Sequence, residues 1–383
     1  MRHAAVIGGG ILGVVSALLL VRRGWCVSLF ERDADLLLRT SGQGEGKIHL
    51  GPVYALGDRA TVGLMQRGAV SFGPIVARAV GDEIDWPAMA SDRFAYIVMP
   101  TGLCDEAGLA AAYRAVNRAF AALPRRLVLG EEVATVIDEC PAIDGQTGLP
   151  SFASRERALD PQALRRVLID AVGTCGGITV RLGAEVDGIS PDGSLRCNGD
   201  THRFDAILNC AWERRGPLLM SAGLPGTHDN HRVKLGVFGR YRPGIRSVTL
   251  VHGAFGDVVG HRDRTYLSWY PVARLAFDEE VPDGDVVADL RRDPDRLRQL
   301  ATRQVAAMAR LGLVPADLEI EAVGVGVILA TGTGDIDRPD SDLHRRGDFG
   351  LRVDGRIATP MNYKFTTAPL AAHEAVERIT HGR

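Results

Sequence analysis

Apolar residues open the chain in blocks of two lengths. Ala4 to Ile7 has the size of a buried strand and runs into the turn Gly8-Gly9-Gly10-Ile11-Leu12-Gly13. From Val14 to Arg23 the apolar positions continue at helical length until Gly24 stops them, and Cys26 to Phe30 is a second short apolar run. That succession predicts strand, helix, strand. Between about Asp58 and Val80 apolar residues return at helical spacing (Val62, Met65, Ala69, Phe72), and Pro74 is expected to kink or divide this helix. Phe94 to Met99 reads as a strand, and the alanine-rich stretch Glu106 to Leu123 as a helix with Asp105 and Glu106 at its start.

A second αβ unit begins at Leu159-Asp160-Pro161, where Asp160 suits an N-cap and Pro161 the first helical position. The helix is expected to reach about Val172, with strands following at Ile178 to Leu182, Glu185 to Ile189 and Ala206 to Cys210. From Arg232 to Tyr270 the pattern becomes extended runs punctuated by glycine, such as Ser247 to His252 and Thr265 to Tyr270, which is antiparallel-sheet chemistry. Helices are expected over about Asp295 to Leu311 and Ala368 to Ile379. The chain therefore crosses between αβ and strand-rich pieces more than once.

The chain has 383 residues, 46% of them hydrophobic, enough for two packed cores. A net charge of −2 gives no reason to expect nucleic acid as a partner. Six scattered cysteines with no Cys-x-x-Cys spacing point to no metal site and no disulfide framework. The apolar run Ile11 to Val21 is too short to span a bilayer, and no leader precedes the first strand, so a soluble cytoplasmic protein with no integral membrane segment is expected. Of the 45 basic residues, three are lysine: Lys47, Lys234 and Lys364. A bias that strong converts generic positive charges to arginine. The remaining lysines then mark places where a compact ammonium serves better than a planar guanidinium.

The triplet Gly8, Gly10, Gly13 follows a strand and opens a helix, the setting a dinucleotide fingerprint requires. Gly8 permits the tight turn, Gly10 lets backbone approach a pyrophosphate, and Gly13 lets helix and strand pack closely, with Ile11 and Leu12 at the helix N-terminus. Glu31, with Arg32 beside it, ends the second strand where a carboxylate can accept both ribose hydroxyls. In place of further regular βα units comes a long small-residue loop, Arg39 to Gly51, suited to lie along an extended cofactor. FAD is therefore expected rather than NAD.

At this loop the sequence resembles the FAD-dependent oxidoreductases of the glycine oxidase and D-amino-acid oxidase type. The parts that match are Val6 to Gly13, Thr40-Ser41 to Gly51, Leu159 to Leu164 with Gly183 to Val186, Leu208 to Trp212, and Thr359 to Pro369. Within that group, Ile48-His49-Leu50-Gly51-Pro52-Val53-Tyr54 is most similar to a loop of L-2-hydroxyglutarate dehydrogenases. The resemblance implies an α/β fold. Its Rossmann-like FAD-binding domain would fill residues 1–84, 155–215 and 329–383, interleaved with an α+β substrate domain in 85–154 and 216–328.

It also implies positions. Ser41 and Gly42 would lie near the pyrophosphate or ribityl chain, Lys47 and Ile48 beside the isoalloxazine, and Val186 against the adenine. Ala211 and Trp212 would border the phosphates, and Lys364, Phe365, Thr366 and Thr367 the flavin N1 and C2=O. The relatives' Gly-His-Gly before the last helix is Asn362-Tyr363-Lys364 here, and Asn209-Cys210-Ala211-Trp212 replaces an alanine-glycine pair.

The implied enzyme takes hydride from a CH–NH bond of a small amino acid or amine, with oxygen or a carrier as electron acceptor. Lys364 would stabilise charge on the reduced ring, and Lys47 would approach N5 or remain a structural lysine of the loop. His49 is the candidate base if the bond is instead the CH–OH of a 2-hydroxy acid. Tyr54 and Tyr270, with His49, are expected against the substrate, Tyr266 and Trp269 being alternatives on the same strand. Arg240, Arg242, Arg262 and Arg264 are candidates to clamp a carboxylate. A reading of another class is a flavin-binding sensor without turnover.

Overall fold

Four apolar residues between an exposed start and a glycine turn can be buried on both faces only as a central parallel strand. In the computed structural model His3–Ile7 is that strand. The structure describes the chain except residues 228, 279–284, 333, 339–340 and 382–383. His3–Ile7 lies between Cys26–Phe30 and Ala206–Asn209, parallel to both. Ile178–Arg181 and Ile357–Met361 extend the sheet on either side, also parallel, and Gly350–Asp354 closes one edge antiparallel. The helix Ile11–Arg22 is buried all round from Ile11 to Leu20, because the terminal helix Ala368–His381 and Arg59–Val80 pack on it as well as the sheet.

The helix Arg59–Val80 runs through Pro74 as one element, a correction to the expected kink or division. Asp58 caps it by accepting from Ala60 N and Thr61 N at 3.0 and 3.3 Å, and Gly81 ends it in the left-handed region at φ +82°. Asp160 and Pro161 start the helix Pro161–Thr174 as the sequence predicts, with the Asp160 carboxylate accepting from Gln162 N at 2.8 Å.

Among the described residues the second sheet has nine strands, antiparallel except where Ala95–Val98 runs parallel to Val248–Val251. Its axis is the eleven-residue strand Asn230–Arg240, which pairs with Ile320–Ala330 along one side and with Arg264–Trp269 and Arg274–Asp278 along the other. Ile320–Ala330 and Arg274–Asp278 were not evident from the sequence. The predicted strand Thr265 to Tyr270 stops at Trp269, because Pro271 supplies the fixed φ of a helical first turn and Tyr270–Ala273 coils. One face of the axis strand presents Val233, Leu235 and Val237 to an apolar core with Leu297, Val305 and Met308 of the helix Pro294–Arg310. The other face carries Arg232, Lys234 and Gly236 toward the first sheet. Strands of the first sheet come from residues 3–30, 178–209 and 350–361, those of the second from 95–153 and 230–330.

Among the described residues no helix is long and apolar enough to cross a membrane, and no histidine, cysteine and carboxylate cluster could hold a metal ion.

Candidate active site

The glycine turn is shaped by contacts a side chain would destroy. A Cβ on Gly13 would sit 1.9 Å from the Gly8 carbonyl oxygen. Gly8 itself has φ +101°, and its Cβ would meet the Cys210 carbonyl oxygen at 2.6 Å. Gly10 is the extended residue before the helix, and Ile11 N donates to the Ser41 hydroxyl at 3.0 Å. The other amides of that first turn have no intrahelical acceptor and point out of the helix end, where the macrodipole favours an anion. The Glu31 carboxylate accepts from Gly9 N at 2.6 Å and Asp33 N at 2.8 Å, which holds it over the turn.

These residues line a cleft of about 1010 Å³. Gly8, Gly10, Ile11, Leu12, Glu31 and Arg32 form one wall, while Ser41, Val186, Ala211, Trp212, Lys364 and Phe365 form the others. Arg32 is ion-paired with Glu213 across the cleft mouth. Beside it Arg39 pairs bidentately with both Asp33 and Asp285. Gly13, Gly42, Ile48, Thr366 and Thr367 do not line the cleft; they shape it from behind. A Cβ on Gly42 would meet the Leu37 carbonyl oxygen at 2.2 Å, and Ile48 is a core residue. Thr366 donates to the Lys47 carbonyl and accepts from His49 N, both at 3.0 Å, stapling the loop at 47–49 to the last helix. Thr367 accepts from Lys364 N at 2.8 Å, fixing the turn into that helix. Asn362 adopts φ +51°, a left-handed position that asparagine tolerates, and its amide donates to Thr331 Oγ1 and Asp348.

Past Ser41 the cleft continues into two adjoining cavities that share Glu45, His49, Lys234, Ile328 and Lys364. Within the segment expected as a loop, Thr40–Gln43 forms a short helix, which lies against the second sheet because Gly324 and Gly326 leave it room; a Cβ there would press on Gln43 and Thr40. Lys47 borders the first cavity, but its ammonium is held by Thr249, by Asp257 at 3.4 Å and by Glu156 at 3.6 Å, over the rings of Phe94 and Tyr96. Burial raises the Glu156 carboxyl above its ordinary range.

The second cavity, about 850 Å³, holds the expected His49, Tyr54 and Tyr270 together with Arg232, His252 and His344. Tyr54 packs edge-on between the two imidazoles His49 and His344. Buried nitrogens or oxygens of His49, Tyr54, Arg232, His252 and His344 have no hydrogen-bond partner among the described residues. Arg232 Nη1 donates to the Tyr270 hydroxyl at 3.3 Å, and that hydroxyl donates to Asp335 at 2.6 Å. Asp335 is itself ion-paired with Arg274.

The candidate arginines lie elsewhere, which corrects that expectation. Arg240 pairs with Glu319 and Glu321, Arg242 with Asp317 and Arg264 with Asp160, while Arg262 donates to the Pro87 carbonyl. Strand periodicity could have located Arg232: with Lys234 it alternates against the apolar Val233, Leu235 and Val237 of the same strand. Tyr266 lines the first cavity, whereas Trp269 packs toward Phe255.

Burial, reinforced by Lys364, Lys47 and His344, pushes the His49 pKa well below the ordinary imidazole value, and burial does the same to His344. Lys364 is lowered well below an ordinary amine by burial and by Arg346 and Arg232. His252 is lowered and His261 falls to about 4, both through burial. These depressed imidazoles set a sign. Above about pH 6.5 they are neutral in both folded and unfolded chains. Below it the unfolded chain takes up protons that the folded chain refuses, so stability falls as pH falls. For His261 this costs roughly 1.4 kcal/mol by one unit below the unfolded pKa. Thermal midpoints of the apoprotein at pH 7.5, 6.5 and 5.5 are expected to drop steeply over the last step; a flat profile would contradict the buried placement.

A dinucleotide cleft that opens onto a polar cavity between two sheets defines an FAD-dependent oxidoreductase. The chain belongs to the family described as DAO, FAD dependent oxidoreductase, whose model matches residues 3–233. The fold is similar to that of glycine oxidase from Geobacillus kaustophilus, with 15% identity and a TM-score of 0.68 over 100% of this chain and 96% of that one. It is similar also to iminodiacetate oxidase from Chelativorans sp. BNC1, with 16% identity and a TM-score of 0.67 over 99% and 96%. One curated relative, the tRNA 5-methylaminomethyl-2-thiouridine biosynthesis bifunctional protein of Pseudomonas fluorescens, is 49% identical over 49 residues. That match covers 13% of this chain and 7% of the relative's length.

The residues present fit FAD: an open helix end and close-approach glycines for a pyrophosphate, a fixed carboxylate for a ribose, and a cleft long enough to continue toward His49 and Lys364.

Proposed function

We propose that the enzyme oxidises the CH–NH bond of a small amino acid whose carboxylate is held by Arg232. The observation that carries this is the wall of the second cavity, where Arg232 stands buried and, among the described residues, has no ion-pair partner, beside polar atoms of His49, Tyr54, His252 and His344 that find no hydrogen bond among those residues. A guanidinium so placed is matched by a carboxylate, and Tyr270 orients it. Bound flavin would supply the two-electron acceptor for the substrate hydride. Glu31, Ser41 and the first helix would hold the dinucleotide, and Lys364 would face its ring end.

The protein's part is then proton handling. Hydride leaves a neutral amine readily, and the cations Arg232, Lys234 and Lys364 disfavour an ammonium beside them. A neutral amine keeps its N–H protons as hydride leaves and the iminium forms, so no base is required at that step, in accord with a His49 imidazolium that burial strongly disfavours. That weak basicity suits an amine better than a hydroxyl, whose proton needs a stronger acceptor. The 2-hydroxy-acid reading keeps one observation in its favour, the unpaired Nδ1 of His49 at the cavity. Names of similar folds, glycine oxidase and iminodiacetate oxidase, support the amine. Oxygen or a carrier would take the electrons onward.

Anaerobic mixing of the flavin-loaded enzyme with matched pairs of amino and hydroxy acids tests this. The amino acids are expected to bleach the visible flavin band, with a rate that rises with pH as the free amine forms. Bleaching by the hydroxy acids alone would favour the alternative, and no response from either would favour a binding protein without turnover.

A further inference from the structure

Arg232 and Lys234 occupy alternate positions on the same face of the strand Asn230–Arg240, so their Cα atoms lie roughly 7 Å apart. Both line the second cavity, as does Lys364. Among the described residues none of the three forms an ion pair with a carboxylate, nor does buried Arg346, whose own pKa burial lowers to about 10. The acids at hand do not balance them. Asp257 is engaged by Thr249 and Lys47, Glu156 lies behind Lys47, and Glu45 stands without an ion pair. Among the described residues, four basic side chains (Lys47, Arg232, Lys234 and Lys364) thus line the two cavities against two carboxylates (Glu45 and Asp257), an arrangement that costs stability unless a ligand brings negative charge.

The sequence adds an independent observation. All three lysines of the chain border these two cavities, in a chain that uses arginine almost everywhere else. A zwitterion with one carboxylate carries no net charge and would satisfy Arg232 alone.

We propose that the site selects a substrate with two anionic groups, Arg232 holding the α-carboxylate and Lys234 a second carboxylate or phosphate. This rests on the amino-acid reading above and makes Lys234 a specificity-determining residue. Lys234 suits the second anion because an ammonium on a flexible stem accepts charge from several directions, where the guanidinium fork imposes one plane.

The test uses the flavin-loaded enzyme and ligands that cannot be oxidised, followed by perturbation of the flavin spectrum. Mono- and dicarboxylates of equal length, from three to six carbons, are titrated beside phosphonocarboxylates of the same span. The best dianion is expected to bind about tenfold or more tighter than its monoanionic counterpart. The dicarboxylate and phosphonocarboxylate arms tell which second anion is preferred. Lys234→Met is expected to bring the ratio of dianion to monoanion affinity to within about twofold of one. Equal affinities for mono- and dianions, or an advantage untouched by Lys234→Met, would overturn the second anion subsite yet leave the Arg232 reading standing. No spectral response to any carboxylate would remove both.

Discussion

Arg232→Met is expected to lower kcat/KM for an amino-acid substrate by roughly 10²- to 10³-fold, with flavin content unchanged. Truncating one partner of a buried, hydrogen-bonded charge pair costs about 2–5 kcal/mol, much of it from leaving the other charge unpaired. Here the other charge would be the substrate's, so the loss falls on binding and orientation and not on the fold. The variant also relieves the repulsion of Lys364, whose pKa Arg232 helps to lower, so folding stability should hold or rise. Arg240→Met is the control: it breaks exposed pairs with Glu319 and Glu321 and is expected to change kcat/KM by less than about twofold. If Arg232→Met retained wild-type kcat/KM, the carboxylate clamp would have to be sought elsewhere.

Gly13→Ala is expected to yield protein that purifies without flavin and takes up little when offered it. The added methyl would lie 1.9 Å from the Gly8 carbonyl oxygen, so the helix must retreat from the strand. Overpacking of this kind costs about 1–3 kcal/mol in stability. The larger effect is on the cleft, because the same shift moves the amides of the first turn away from the pyrophosphate position. Gly24→Ala separates the two effects. Gly24 has φ +79° but nothing near its Cβ, so that variant strains the backbone without disturbing the turn. It should lose some thermal stability and keep its colour. A flavin-to-protein ratio for Gly13→Ala equal to that of Gly24→Ala would show that the close approach at Gly13 is dispensable.

The two readings were legible in the sequence to different degrees. Gly8, Gly10, Gly13 and Glu31 are close in the chain, and each answers to a local requirement: a turn, a backbone approach, a helix contact, a strand tip. The small-residue composition of Thr40 to Gly51 also marks that segment, although the structure forms the short helix Thr40–Gln43 and the strand Lys47–Ile48 within it. Arg232 does not. Its alternation with Val233 and Leu235 says that it points away from one core, but not what lies opposite. The arginines offered as carboxylate clamps, Arg240, Arg242, Arg262 and Arg264, instead meet carboxylates or a carbonyl outside the cavity.

Lys47 shows the same limit from the other side. Its position in the loop suggested an ammonium at the flavin, yet Glu156 and Asp257, more than a hundred residues away in sequence, take hold of it. The strands Ile320–Ala330 and Arg274–Asp278 went unrecognised because their status depends on the edges that Asn230–Arg240 offers them.

By itself, then, the sequence determined the nucleotide end of this protein: which strand leads, where the helix begins, and which carboxylate closes the turn. Those are short-range steric and hydrogen-bonding demands that a few consecutive residues must satisfy alone. Tertiary structure decided the polar cavity beyond it, namely which cations lack an ion pair among the described residues and which histidines burial disfavours as imidazolium. Both depend on burial and on charges contributed by distant segments, and neither is a property of any stretch of chain taken singly.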